Sequence, residues 1–406
     1  MTFFFLIVLS VFGLIYGYTG WRLLAPLPVG RGWKLSAGAA LALFLGLLFG
    51  LRFSRFGLSS TVYGVAVWTT YTVFAFVLLT WIILISRDTC WLIAVMLRRY
   101  GHRVRRFLAR QRPAAVSALN PERRLFLLNA ANLGTVGLST GLVGLGVRSA
   151  RIDIRVEPVS LSLPGLPACM EGLRILQISD LHVGLTIDRS FVQRIVDQAG
   201  SQQADLIALT GDIVDGEIAA LRREVAPLAE LRAPLGCYFV TGNHEYYNSS
   251  PLGWLQEFRA MGYTVLLNEH RVIRRDNGRL VLAGVTDHDA GLLMPGHGSS
   301  PEKAFRGAPD DTTRILLAHQ PRSIHAAARV KTHLQLSGHT HGGQFIPWNY
   351  AVRLQQPYLA GLHQQNKTWI YVNRGAGYWG PPMRLGAPGE ITLLTLRRAA
   401  TEPSIA

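Results

Sequence analysis

The stretch Leu334 to Gln344, LQLSGHTHGGQ, decides the fold. An alternating apolar run breaks off at two histidines, His339 and His341, set among glycines. The chain holds only 12 histidines in 406 residues, so two in one turn ask for a reason. A turn would be served by Ser, Thr, Asn, Asp or Gly. If the pair are ligands instead, other strands should end in the same kind of residue.

They do. LRILQISD stops at Asp180-Leu181-His182, ADLIALTGD at Asp212, GCYFVTGNHE at Asn243-His244-Glu245, and TRILLAHQP at His319. Each run has the length of a buried strand. Helical patterns lie between, at Ser190 to Ala199 and Ile218 to Leu231. This is the α/β arrangement in which loops at strand ends build the site. Asp180 and His182 are an i, i+2 pair, as are His339 and His341, so an extended strand end would point both members the same way. Gly211, Gly242, Gly338, Gly342 and Gly343 let the backbone turn sharply and approach a ligand.

The residue types select a metal class. Asp, Asn and His without Cys suit divalent Mn, Fe, Zn, Co or Ni. Seven such ligands exceed what one ion takes and fit two. Asp212 stands alone between the clusters, and its two carboxylate oxygens make it the natural bridge.

Composition divides the chain. It is 49% hydrophobic and 16% charged, too apolar for an ordinary soluble protein. Residues 1–150 carry 16 Arg+Lys against Asp88 and Glu122; the remainder carries 25 against 23. The globular part is therefore nearly neutral, which argues against nucleic acid. The greasy part is basic, which points to a lipid bilayer. We expect a membrane region over 1–150, a linker or first strand over 151–171, a catalytic domain over 172–399 and a tail over 400–406.

Four segments are candidate spans: Phe3 to Gly20, Leu35 to Leu51, Val62 to Ser86 and Leu125 to Val147. The first lacks the basic flank of a signal peptide. The fourth contains Asn129 and Asn132, which are costly in hydrocarbon, and a Gly137-x-x-x-Gly141 spacing that would let another helix approach. Ten arginines between Arg87 and Arg124 predict a cytoplasmic loop. Arg22, Arg31 and Lys34 put the first loop on that side too, so the C-terminal domain is expected outside the cytoplasm. Arg123-Arg124 before LFLL agrees with export. Within the basic loop, CWLIAVMLRRYGHRVRRFL reads as a helix leaving the membrane along an anionic leaflet. The three cysteines form no CxxC, which excludes a thiolate cluster. Cys169 and Cys237 could pair outside the cytoplasm, although Cys237 sits in an apolar run that suits a buried thiol.

At SDLHVG, TGDIVDG, TGNHEYY, LAHQP and SGHTHGGQ, in that order, the chain resembles the calcineurin-like metallophosphoesterase superfamily. GHTHGGQ and NRGAGYWGPPMRLGAPGEIT are similar to its bacterial membrane-attached branch. The resemblance covers about Leu173 to Arg397. It implies a two-sheet αββα sandwich, here preceded by an α-helical transmembrane region. It further implies that Asp180, His182, Asp212 and His341 hold one metal and that Asp212, Asn243, His319 and His339 hold the other. His244 takes the position of a non-ligand histidine near the substrate phosphate.

Two divalent ions against two carboxylates leave a positive site that attracts a phosphate oxyanion. The expected reaction is attack by a metal-bridging hydroxide on phosphorus, with His244 protonating the leaving oxygen or stabilising charge. The reading is a membrane-anchored phosphodiesterase or phosphatase whose substrate is a phosphate ester, lipid-linked or not. One rival is a pyrophosphatase acting on a nucleotide-linked lipid precursor such as UDP-diacylglucosamine. A rival of another class is a non-catalytic membrane scaffold or receptor. Among other polar residues, Glu245 is expected to position its neighbour. Asp287 to Asp289 could border the pocket. Arg374 could hold a phosphate or a carboxylate. Trp348, Tyr350, Tyr378 and Trp379 could form a lip near lipid headgroups or a packed core.

Overall fold

The computed structural model describes residues 2–53, 58–109, 120–247 and 251–399; the expected tail lies outside them. The chain divides into two units, Met1–Leu145 and Gly146–Ala406.

The first unit is helical: α1 (Thr2–Leu24), α2 (Arg31–Phe53), α3 (Ser60–Ala109) and α4 (Pro121–Arg151), the last crossing into the second unit. All four are long and apolar enough to span a membrane, which makes this a multi-pass membrane protein. The asparagines of the fourth segment are accommodated. Asn129 Nδ2 donates to the Pro26 carbonyl (3.1 Å) and Asn132 Nδ2 to that of Arg22 (2.9 Å). Asn132 Oδ1 accepts from Arg87 (2.8 Å). One sequence expectation changes here: Arg87 and the residues up to Ala109 are helix, not loop. CWLIAVMLRRYGHRVRRFL is helical and continues the third span without interruption. At 50 residues α3 is about 75 Å long, over twice the hydrocarbon thickness. A Cβ built on Gly137 or Gly141 would meet nothing within 4 Å beyond its own helix backbone.

The second unit is a sandwich of two mixed six-stranded sheets. Its strands are β1 (Arg155–Leu163), β2 (Arg174–Ile178), β3 (Leu206–Leu209), β4 (Cys237–Phe239), β5 (Thr264–Val265) and β6 (Glu269–Arg275). They continue with β7 (Gly278–Gly284), β8 (Thr313–Leu317), β9 (Leu334–Ser337), β10 (Gly361–Gln365), β11 (Thr368–Val372) and β12 (Glu390–Arg398). One sheet has the order β1-β12-β2-β3-β4-β5, the other β10-β11-β9-β8-β7-β6. The centre of each is parallel: β2 to β5 in one, β11-β9-β8-β7 in the other.

Period-two alternation sorts the strand residues into two layers. Ile175, Leu206, Leu282, Ile315, Leu334 and Leu336 fill the space between the sheets. Leu176, Ile178, Ile207 and Leu209 face the other way, onto Phe191, Val192 and Ile195 of α5 (Arg189–Gly200). The second sheet buries its outer face through Val281, Ala283 and Leu316 against Ile324 and Ala327. The result is helix, sheet, sheet, helix. Parallel strands end on one edge, so the residues that follow β2, β3, β4, β8 and β9 emerge together.

Candidate metal centre

The five strand ends converge, but not through strand geometry. β2 stops at Ile178 and β9 at Ser337, before any ligand is reached. Asp180, His182, Asp212, His339 and His341 all adopt left-handed backbone, with φ between 51° and 73°. The i, i+2 argument from extended alternation is therefore wrong: Asp180 and His182 do meet, at 3.9 Å, but His339 and His341 turn to different groups, His341 to Asp180 and His182 and His339 to Asp212 and His319. Left-handed conformation is costly for a residue with a Cβ, and it clusters where function over-determines the backbone.

Glycine makes the approach possible at two points. A Cβ on Gly242 would lie 2.1 Å from Asp212 Oδ1, and one on Gly338 would lie 2.2 Å from Asp180 Oδ2. The amide of His339 donates to both oxygens of Asp180 (3.0 Å each), which joins the two sheets at the site.

Three groups of side chains each bring one ligand atom apiece within 4.8 Å of one another: Asp180, His182 and His341; His182, Asp212 and His244; Asp212, His319 and His339. Asp212 Oδ2 stands 3.8 Å from His182 Nε2 and 3.1 Å from His319 Nε2, between the outer groups. His182 Nε2 and His341 Nε2 are 3.0 Å apart. His319 Nδ1 donates to the Thr210 carbonyl (2.8 Å), which leaves Nε2 bare toward the site.

The chemistry of this set fits divalent cations. Burial and neighbouring His319 push His339 down to about 3, and burial with His182 holds His341 well below its usual range. Both are thus neutral imidazoles, the ligating form. Burial raises Asp180, although nearby histidines oppose it. The amide oxygen of Asn243 is buried without a hydrogen-bond donor, a costly state that a cation relieves. Among the described residues no Arg or Lys forms an ion pair with Asp180 or Asp212. Together the residues form a dinuclear divalent-metal site.

Several supporting residues had no sequence argument. Asp215 accepts from His244 Nδ1 in a short contact and lies 3.5 Å from His182 Nδ1. Burial alone would lower His244, yet the carboxylates of Asp215 and Asp212 raise it to about 9. Arg384 is fully buried and donates to the carbonyls of Gly377, His341, Ala387, Arg374 and Gly375. The only signal for Arg384 was its place in PPMRLGAPGE, and for Asp215 the three-residue offset from Asp212.

Other expectations resolve plainly. Glu245 positions its surroundings: its carboxylate accepts from the amides of Gly242, Asp212, Ile213 and Val214. Arg374 holds a carboxylate, Glu390, at 2.6 Å. Asp287 is buried against Gln320, and Asp289 pairs with Arg322. Tyr378 is core, with 2% exposure, whereas Trp348, Tyr350 and Trp379 are exposed. The cysteines are free, and Cys237 is buried.

With this geometry in view, the relatives are informative. Residues 173–343 match the family model for calcineurin-like phosphoesterases. A Bos taurus transmembrane protein with metallophosphoesterase domain is 40% identical over 295 residues, covering 70% of this chain and 66% of that protein. An uncharacterized metallophosphoesterase of Aquifex aeolicus is 34% identical, covering 60% of this chain and 92% of its own. One from Bacillus subtilis is 31% identical, covering 68% and 97%. The chain thus spans just under two thirds of the bovine relative and nearly all of the two bacterial ones.

Proposed function

We propose a function from one premise: this chain belongs to the calcineurin-like metallophosphoesterase family. It is a membrane-anchored hydrolase of phosphate mono- or diesters. The observation that carries this reading is the Asp212 carboxylate lying between two groups of buried histidines.

Asp180, His182, Asp212 and His341 would hold one divalent ion; Asp212, Asn243, His319 and His339 would hold the other. When bound, such a pair supplies Lewis acidity at phosphorus and makes water acidic. The chain's own residues do the rest. Asp212 keeps the two sites at a fixed separation, and Glu245 fixes Asp212 by binding its amide. Asp215 holds His244 by Nδ1, so the other ring nitrogen is the one left for substrate. From there His244 donates a proton to the leaving oxygen or pairs with phosphate charge. Trp379, whose ring centre is 6.0 Å from that of His244, walls the same side.

The domain is placed outside the cytoplasm because the arginine-rich stretch between the third and fourth spans belongs inside. That placement disfavours a nucleotide-linked lipid precursor, which resides in the cytoplasm. A non-catalytic scaffold is disfavoured because no ligand of the set is missing.

The test is hydrolysis of p-nitrophenyl phosphate and bis(p-nitrophenyl) phosphate by the full chain supplied with Mn, Fe or Zn. Asp212→Asn should lower activity by more than about a hundredfold, beyond the usual cost of an outer partner to a metal ligand, and should lower bound metal. Full activity in that variant would sink the assignment. A C-terminal topology reporter that reads cytoplasmic would reverse the choice between ester and nucleotide-linked substrate.

A further inference from the structure

The segment Ile346 to Leu354 of the C-terminal unit, with Trp379 joined to it through Gln344, carries exposed apolar side chains. Exposure reaches 65% at Ile346, 48% at Trp348, 63% at Tyr350, 89% at Leu354 and 44% at Trp379. A cluster of this kind on a globular surface marks an interaction site. Tryptophan and tyrosine in particular favour the depth of lipid headgroups.

Contacts within the C-terminal unit tie this segment both to the metal centre and to Gly146, in the last turns of α4. The final residues of α4, from Gly146, belong to the same unit. Its apolar run ends at Val147, and Arg148 is the first charge since Arg124. The amide of Arg384 donates to the Gly146 carbonyl at 2.9 Å, and a Cβ on Gly146 would lie 2.8 Å from that of Met383. The next residue, Leu385, donates its amide to the Gln344 carbonyl (2.8 Å). Gln344 also clasps Trp379 with its side chain, accepting from its amide (3.0 Å) and donating to its carbonyl (2.9 Å). Ile346, Trp348 and Tyr350 follow Gln344 directly. Trp379 reaches His244, and Arg384 holds the His341 carbonyl.

Gly146 and Arg148 are separated by about 3 Å along a helix axis. Arg148, the first charge after the apolar run, is thus near Met383 to Leu385, one contact from Gln344 and Trp379 and one from the metal ligands. We propose that Ile346, Trp348, Tyr350, Leu354 and Trp379 dock on the bilayer in which the chain's own helices are anchored. The site then takes phosphate esters carried by membrane lipids, presented from the headgroup layer. The occupant is the lipid surface rather than a second copy or a soluble partner. Continuity with α4, a helix long and apolar enough to span that bilayer, favours it, together with exposed Arg353 beside Leu354 for anionic headgroups. The substrate part rests on the phosphoesterase reading above.

The test uses the full chain in nanodiscs of phosphatidylcholine containing phosphatidic acid or phosphatidylglycerol, loaded with Mn. Lipids brominated on the acyl chain report contact independently of catalysis. Tryptophans of the membrane helices are quenched in both proteins, so the readout is the difference: Trp348→Phe should lower the quenched tryptophan signal below that of wild type, and no difference between the two overturns docking. In the activity arm, the Trp348→Glu, Leu354→Glu double variant should lose about tenfold or more on lipid ester, the effect of losing roughly one buried apolar side chain. It should keep bis(p-nitrophenyl) phosphate hydrolysis within about twofold. Equal loss on both substrates overturns the proposal, as does wild-type cleavage of the soluble ester with no lipid ester cleaved. If the double variant converts dimers to monomers without changing quenching, the face is a self-interface and the proposal falls. Wild type that cleaves neither ester refutes the phosphoesterase reading instead, while quenching still decides docking.

Discussion

The two units treat sequestered charge in opposite ways. In the membrane unit, Asp88 is matched by protein groups: Arg22 at 2.7 Å, Arg87 at 3.2 Å and the Tyr18 hydroxyl at 2.5 Å. In the C-terminal unit, Asp180 and Asp212 have histidines for neighbours and, among the described residues, no arginine or lysine in ion-pair contact. Carboxylates balanced by fixed cations are structural. Carboxylates left to imidazoles, which are themselves metal ligands, await charge from outside the chain. The contrast teaches where to look for chemistry in a protein whose arginines mostly lie elsewhere.

The contrast can be broken at its centre. Gly242→Ala drives a methyl group into Asp212 Oδ1 and should abolish metal loading, with a stability loss of about 1–3 kcal/mol from overpacking. Metal analysis and thermal melting check it; retention of two ions would contradict the close approach. Next in size, Asp215→Asn should keep the metals but lower kcat about 10- to 100-fold, because His244 loses its orienting partner. Loss of metal in that variant would make Asp215 a ligand support rather than a positioning residue.

The other side of the contrast is sharpened by Asp88→Asn. Two arginines lose their carboxylate, and the detergent-solubilised chain should be destabilised by about 2 kcal/mol, the scale of a hydrogen bond to a charged group. Chelator should leave that loss unchanged. The smallest effect is Asp188→Ala. Asp188 caps α5 by accepting from the Phe191 amide at 2.9 Å, a contact worth about 1 kcal/mol. Burial would raise its carboxyl, but bonds from Ser190 and Phe191 hold it below the usual range. A depressed folded-state value means the stabilisation is present above the unfolded carboxylate range and fades as pH falls through the folded one. The variant and wild type should therefore converge in stability in acid.

What the sequence made legible follows from which signals are local. The seven ligand candidates sit at the ends of five short apolar runs, so they could be named as candidates without knowing how the strands pair. Asn129 and Asn132 could be flagged as out of place in a span, but not resolved. Their partners, Pro26 and Arg22, are more than a hundred residues away. Arg384 illustrates the same limit, since its value lies in carbonyls gathered from three separate turns. The length of α3 escaped for another reason: a run of arginines looks like loop to a hydropathy argument, yet arginine is a good helix former. The backbone sign at the ligands was faint in the sequence: non-glycine residues rarely occupy that region, and the several-fold enrichment of Asp, Asn and His there does not single out these positions.

That last feature has a consequence for anyone transplanting the site. Five of the residues at the centre pay for their conformation at about 1–3 kcal/mol apiece. A scaffold displaying the same seven side chains from relaxed β-strands would aim them differently. The transferable unit is a set of torsion angles braced by two sheets, and a designer would have to copy the bracing before copying a single imidazole.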